Sequence, residues 1–300
     1  MQKNLLLLAL LLFSATVFSQ KKSTSKTPAK NTYDLAEALA QKLVALEIKG
    51  TGGHQGESLK IICKNLQGKF IRLRIPQGQF MEPADSSFQT LVVAEAQTLA
   101  VGTKTPAEML LKTFCAQAGD RSPMSGSAFA VGALAPENLR NLLKFIVEKG
   151  KVDKPEAQSA VWCVTSGGSL GSIGDAELTK FTADLLGKQV PGYKIRHQTV
   201  QQVPGERATL GKALIVEGNY RYYLEKDEKL VMNLLDAEGK LVKQISKEEL
   251  MKAGEHRSSI HLEVWNLTPG KYILRVQTKD GRVIKDIERS EEHTSELQSH

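Results

Sequence analysis

Residues 153–168 read D-K-P-E-A-Q-S-A-V-W-C-V-T-S-G-G, and the fold turns on this stretch. Its pattern predicts a helix. Asp153 stands in the N-cap position with Glu156 three residues on, Pro155 falls in the first turn where its missing N–H is no loss, and Gly167-Gly168 stops the run. Ala157, Ala160, Val161 and Val164 recur at helical spacing, so Gln158 and Trp162, four apart, lie together on one side of a buried turn. Sequence of strand character stands on both sides, which makes the segment a helical insert in a mainly β chain.

Two further helices are expected beside it. Pro136 opens one near 136–149 with the stripe Leu139, Leu142, Leu143, Ile146 and Val147, the central one covers 154–165, and Asp175 caps a third over 176–186 that ends at Gly187. Upstream, Leu35, Leu39, Leu43 and Leu46 suggest a short amphipathic helix running into a strand. Residues 59–75 suggest a hairpin whose Ile71, Leu73 and Ile75 face one way and Arg72 and Arg74 the other. Further strands are expected at 89–94, 98–101 and 109–116, the rhythm of a β-sandwich. After Pro204-Gly205, which follows the polar run H-Q-T-V-Q-Q, strands at 220–224, 229–235, 241–245, 259–265, 272–277 and 283–287 indicate a second sandwich.

The 300 residues suit roughly two domains. Residues 1–19 have the charge, apolar run and small residues of a signal peptide, with cleavage expected before Gln20, and no cysteine follows to anchor a lipid. The apolar run is shorter than the ~20 residues of a membrane span, so no transmembrane segment is expected in the mature chain. Residues 20–32 form a basic, Ser/Thr-rich leader expected to be disordered. The net charge of +7 is scattered among acids, and no basic face is interleaved with aromatics, so nucleic acid is not an expected partner. Residues 289–299, R-S-E-E-H-T-S-E-L-Q-S, resemble an in-frame translation of a sequencing adapter; 289–300 is set aside with His293 and His300.

Candidate chemistry is sparse. The glycines in G-T-G-G-H-Q-G, residues 50–56, precede a strand and not the helix a phosphate loop must open. Gly167-Gly168-Ser169-Leu170-Gly171 fits G-x-S-x-G, and a triad of Ser169, Asp236 and His261 can be written for a serine hydrolase. The motif follows a capped helix, however, where a nucleophile elbow needs a buried parallel strand. His54, His197, His256 and His261 show no paired spacing, so no metal and no cofactor is expected. Three cysteines, Cys63, Cys115 and Cys163, give an odd count for an exported chain. One disulfide from Cys115 to Cys63 or Cys163, with one buried thiol left over, is the plain expectation.

Two resemblances add to this. K-T-F-C-A-Q around Cys115 and A-Q-S-A-V-W around Gln158 resemble the thioester domains of Gram-positive surface adhesins, which implies an internal Cys115–Gln158 thioester on a β-sandwich carrying helices. The alternative role for Gln158 is a structural one, bonding backbone from its helix. Residues 218–287, with V-M-N-L-L-D-A-E-G-K-L-V and L-T-P-G-K-Y-I-L-R-V, resemble the Ig-like C-terminal sorting domains of type IX secretion cargo in Bacteroidetes and the Ig-like domain of flagellar hook-capping proteins. The expectation is therefore a chain of two β-sandwich (Ig-like) domains, 33–203 with a three-helix insert and 205–288 as an export module. Its expected function is non-enzymatic binding or adhesion at the cell surface or after secretion. The partners would be the export machinery and a protein or carbohydrate surface ligand, with a thioester adhesin and a Ser169 hydrolase as alternatives.

Overall fold

The computed structural model describes residues 31–268 and 270–290. The expected signal peptide, the leader up to Lys30, Pro269 and the tail from residue 291, with His293 and His300, lie outside the described residues. In chain order the first elements are β1 (Thr32–Asp34), α1 (Leu35–Ala40), β2 (Val44–Gly50), β3 (Gln55–Asn65), β4 (Ile71–Ile75), β5 (Gln79–Pro83), β6 (Leu91–Val93), β7 (Gln97–Val101), β8 (Ala107–Cys115) and β9 (Ala128–Leu134). Six of these close into a barrel in the order β2-β3-β8-β6-β5-β9, and β1, β4 and β7 form a separate sheet. Strand rhythm alone does not distinguish closure from a sandwich, because both place alternate residues inward.

The hairpin expected over 59–75 does not form. Both strands exist, but β3 pairs with β2 and β8, whereas β4 pairs with β1 and β7. Separate sheets let both apolar rows, Leu59, Ile61 and Cys63 on one strand and Ile71, Leu73 and Ile75 on the other, enter a single core. Alternation fixes which face is buried and leaves the partner open.

The helices follow as α2 (Glu137–Glu148), α3 (Pro155–Thr165) and α4 (Ala176–Leu185), with a single 3-10 turn over Leu170–Ser172. Pro136 caps α2 and Asp175 caps α4, its carboxylate accepting the Leu178 N–H at 2.9 Å. At α3 the cap is Lys154, not Asp153; the Asp153 carboxylate instead meets the Lys112 ammonium at 3.1 Å, an ion pair that draws it away from the helix end. Helix α3 is buried on two sides. Trp162 joins the barrel core, while Ala157, Ala160, Val161 and Cys163 pack with Leu139, Leu142, Leu143 and Leu178 of the neighbouring helices. A helix with apolar partners on both flanks lies in an interior layer.

The remaining strands are β10 (Tyr193–His197), β11 (Ala213–Leu224), β12 (Glu228–Asp236), β13 (Leu241–Gln244), β14 (Glu249–Met251), β15 (Gly254–Glu263), β16 (Lys271–Thr278) and β17 (Val283–Ser290). One sheet runs β10-β11-β15 and the other β13-β12-β16-β17, with β14 also on β12; residues of both enclose one core. The joint expected at Pro204 is displaced in both directions. Strand β10, upstream of it, pairs with β11, whereas residues 205–208, downstream, return to the barrel: Ser122 N–H donates to Glu206 O at 2.8 Å and Ala208 N–H to Asp120 O at 3.1 Å. Ala208 is fully buried in the barrel core with Leu210 against it, an apolar attachment that the preceding polar run conceals.

Candidate functional site

Strand β8 ends at Cys115 under helix α3, and Gln158 reaches down to it. The Gln158 Oε1 accepts the Cys115 N–H at 2.9 Å and its Nε2 donates to the Cys115 carbonyl at 2.8 Å, so one side chain serves both backbone groups. All of this is buried, which is the condition under which such pairing matters most. The Cys115 N–H also donates to the carbonyl of His54, 3.1 Å away on the β2–β3 loop. The two residues brought together by the adhesin-like motifs therefore touch, through the carboxamide of one and the backbone of the other.

No disulfide forms: Cys63, Cys115 and Cys163 are all free and buried. They stand in different layers. Cys63 faces the barrel core from β3, and Cys163 packs among the helices, with its thiol donating to Ser169 O at 3.4 Å. Burial pushes the Cys63 thiol up to about 11 and the Cys163 thiol up to about 12, and raises Cys115 further, so all three stay protonated near neutrality.

One turn beyond Gln158, Trp162 is only 3% exposed, and its indole N–H has no hydrogen-bond partner among the described residues. The His54 ring stacks on it at 6.4 Å with planes 20° apart, and burial lowers the His54 pKa below the usual imidazole value. Gln158, Trp162 and His54 line a cleft of ≈ 490 Å³ whose other walls are the 3-10 turn, the end of β10 and the segment leading to Leu210.

In the same cleft Ser172 Oγ lies 3.0 Å from His197 Nε2, and His197 Nδ1 lies 3.1 Å from the Gly211 carbonyl. No motif spacing marks this pair in the sequence; the residues are 25 apart, and the β10–β11 register shifts between Arg196 and His197, just where the imidazole meets the 3-10 turn. Ser169, the serine of the G-x-S-x-G motif, lines a different, smaller cleft that holds neither histidine nor carboxylate. The written triad is not assembled: Asp236 accepts the Lys240 N–H in its own turn at 2.8 Å, and His261 lies beside Glu217 at 3.4 Å. A larger cleft of ≈ 720 Å³ contains that His261, but there Glu217 already engages Lys194 as well, so the polar groups answer one another. Among the described residues no cluster of three or more His, Cys, Asp or Glu could hold a metal ion.

No family model and no curated protein matches the chain. Among solved structures it is similar to a β-glucosidase from Kluyveromyces marxianus, at 8% identity over 78% of this chain and 44% of that one, with a TM-score of 0.20. A protein named as a β-galactosidase from Bacteroides fragilis gives 12% identity over 80% of this chain and 33% of that one, with a TM-score of 0.18. The chain spans less than half the length of either. Likenesses of this order carry no argument about fold or activity, so the site's own geometry carries the functional reading.

Proposed function

We propose that the protein is a secreted or cell-surface binding protein of the adhesion type, which takes its ligand in the cleft beside Trp162. The C-terminal two-sheet unit, with its likeness to Ig-like sorting domains, serves as the export module. The observation that carries the binding reading is Trp162, which lines the cleft and whose buried indole N–H has no hydrogen-bond partner among the described residues. Leaving such a donor unmatched costs roughly 1–3 kcal/mol, and a ligand acceptor recovers part of it. Probing glycan and extracellular-protein arrays with the full chain tests this. Trp162→Phe keeps an aromatic side chain and removes the donor, and should weaken any genuine ligand roughly tenfold, the equivalent of about 1.4 kcal/mol; unchanged binding contradicts the reading.

A second reading is favoured by the contact of Gln158 with Cys115. In it, the Cys115 sulfur attacks Gln158 Cδ, the C–N bond breaks, and the amide nitrogen leaves as ammonia with the thiol proton. Such a thioester would make the protein a covalent trap for amines. Freshly purified protein would then weigh one ammonia less than its sequence, and methylamine would add at Gln158. A full-mass protein with three titratable thiols after unfolding contradicts it.

A further inference from the structure

We propose that Ser172, His197 and the Gly211 carbonyl form an acyl-transfer centre in the same cleft, with Ser172 Oγ the nucleophile and His197 Nε2 the base, acting on small ester ligands. The proposal goes beyond the binding reading and needs no thioester. Its geometry is that of an activated serine. A carbonyl can only accept, so the 3.1 Å contact with Gly211 O places the neutral ring's proton on Nδ1 and leaves Nε2 to accept the Ser172 hydroxyl at 3.0 Å. The base is thus oriented by a third group, as nucleophilic catalysis requires.

The surrounding chain is shaped to hold these three groups. Gly211 has φ +79°, and a Cβ there would meet the Gln198 carbonyl oxygen at 2.3 Å, so only glycine brings its own carbonyl against His197. Gly171 plays the matching part on the serine side: a Cβ would strike the Tyr193 ring at 2.8 Å, and its absence lets β10 close on the 3-10 turn that carries Ser172. Trp162, whose indole N–H has no hydrogen-bond partner among the described residues, lines the same cleft as Ser172 and His197. The cleft's ≈ 490 Å³ suits a small ligand.

The reaction balances with water alone. Ser172 Oγ bonds the acyl carbon while its proton passes to His197 Nε2; the ester C–O bond breaks and the alcohol leaves with that proton. Water, deprotonated by the same nitrogen, then bonds the acyl carbon, releases the carboxylic acid and returns the proton to Ser172.

A fluorophosphonate probe and p-nitrophenyl acetate, applied to the full chain, test the proposal. The expected result is one phosphonyl adduct, mapped to Ser172, and an ester turnover that Ser172→Ala abolishes. His197→Gln, which keeps a polar side chain without a base, should slow turnover by about 10²–10⁴-fold, and Ser169→Ala should change neither readout. Folded wild-type protein without an adduct at Ser172, or turnover that survives Ser172→Ala, overturns the proposal.

Discussion

The N-terminal body and the C-terminal two-sheet unit bury their residues in different ways. In the N-terminal body, Leu59, Ile61, Ile71, Leu73, Met81 and Leu111 have no exposed surface, and polar side chains such as Gln79, Gln89, Gln158 and Thr182 are sealed in it. The core residues of the C-terminal unit all retain some exposure, and Thr278 is its one buried polar side chain among the described residues. The difference assigns the work. Free thiols, a carboxamide hydrogen-bonded at both ends and an unpartnered indole N–H occur where water is excluded, while the C-terminal unit contributes the end of β10, with His197, to the wall of the cleft.

The comparison breaks most easily at Trp162, which bridges the barrel core and the cleft. Trp162→Ala should cost about 3–5 kcal/mol in urea unfolding, whereas Leu274→Ala in the C-terminal core, which removes a smaller side chain from a core whose residues all keep some exposure, should cost nearer ~2 kcal/mol. Equal losses would mean that the two cores are equally tight. Gln158→Leu comes next. It keeps the bulk of the side chain but strips the Cys115 carbonyl of the Gln158 donor, and should cost about 1–3 kcal/mol by the same measurement; a neutral result would show that the backbone finds another partner.

The smallest effect is a dependence on pH. His54 is held below its ordinary pKa by burial, so the unfolded chain binds its proton more readily. Its contribution is therefore complete above the unfolded value of about 6.5 and is lost as pH falls through that value toward the folded one. Melting curves of His54→Gln should consequently fall less steeply than wild type between neutral and mildly acidic pH, and parallel curves would remove His54 from the account.

The same contrast explains what the sequence disclosed. Strands β12, β13 and β15 to β17 and the second half of β11 are legible because alternating rows such as Tyr272, Leu274 and Val276 and turns such as Asp236 to Lys240 are local devices, whereas the three-residue β14 is too short to show a pattern. The three helices are legible through Pro136, Pro155 and Asp175. Closure of the barrel is not, because it joins β2 to β9 across most of that body, and nothing local in either strand names the other. At the site, Cys115 and Gln158 stood out through their flanking residues and do meet. Ser172 and His197 did not, because a bulge and two close-packed glycines, effective only once the chain is folded, bring them together. The G-x-S-x-G motif pointed three residues short, to a serine without a base.

The chain has two tryptophans, and they separate the two regions in one experiment. Trp162 is buried at the cleft, while Trp265 is 52% exposed on the C-terminal unit with its N–H toward Glu263. In a ¹⁵N-resolved spectrum each gives one indole N–H signal, assigned by Trp265→Phe. Adding a ligand identified on the arrays should shift the Trp162 signal and leave that of Trp265 in place; a ligand that moves only Trp265, or neither, contradicts the assignment of the cleft as the binding site.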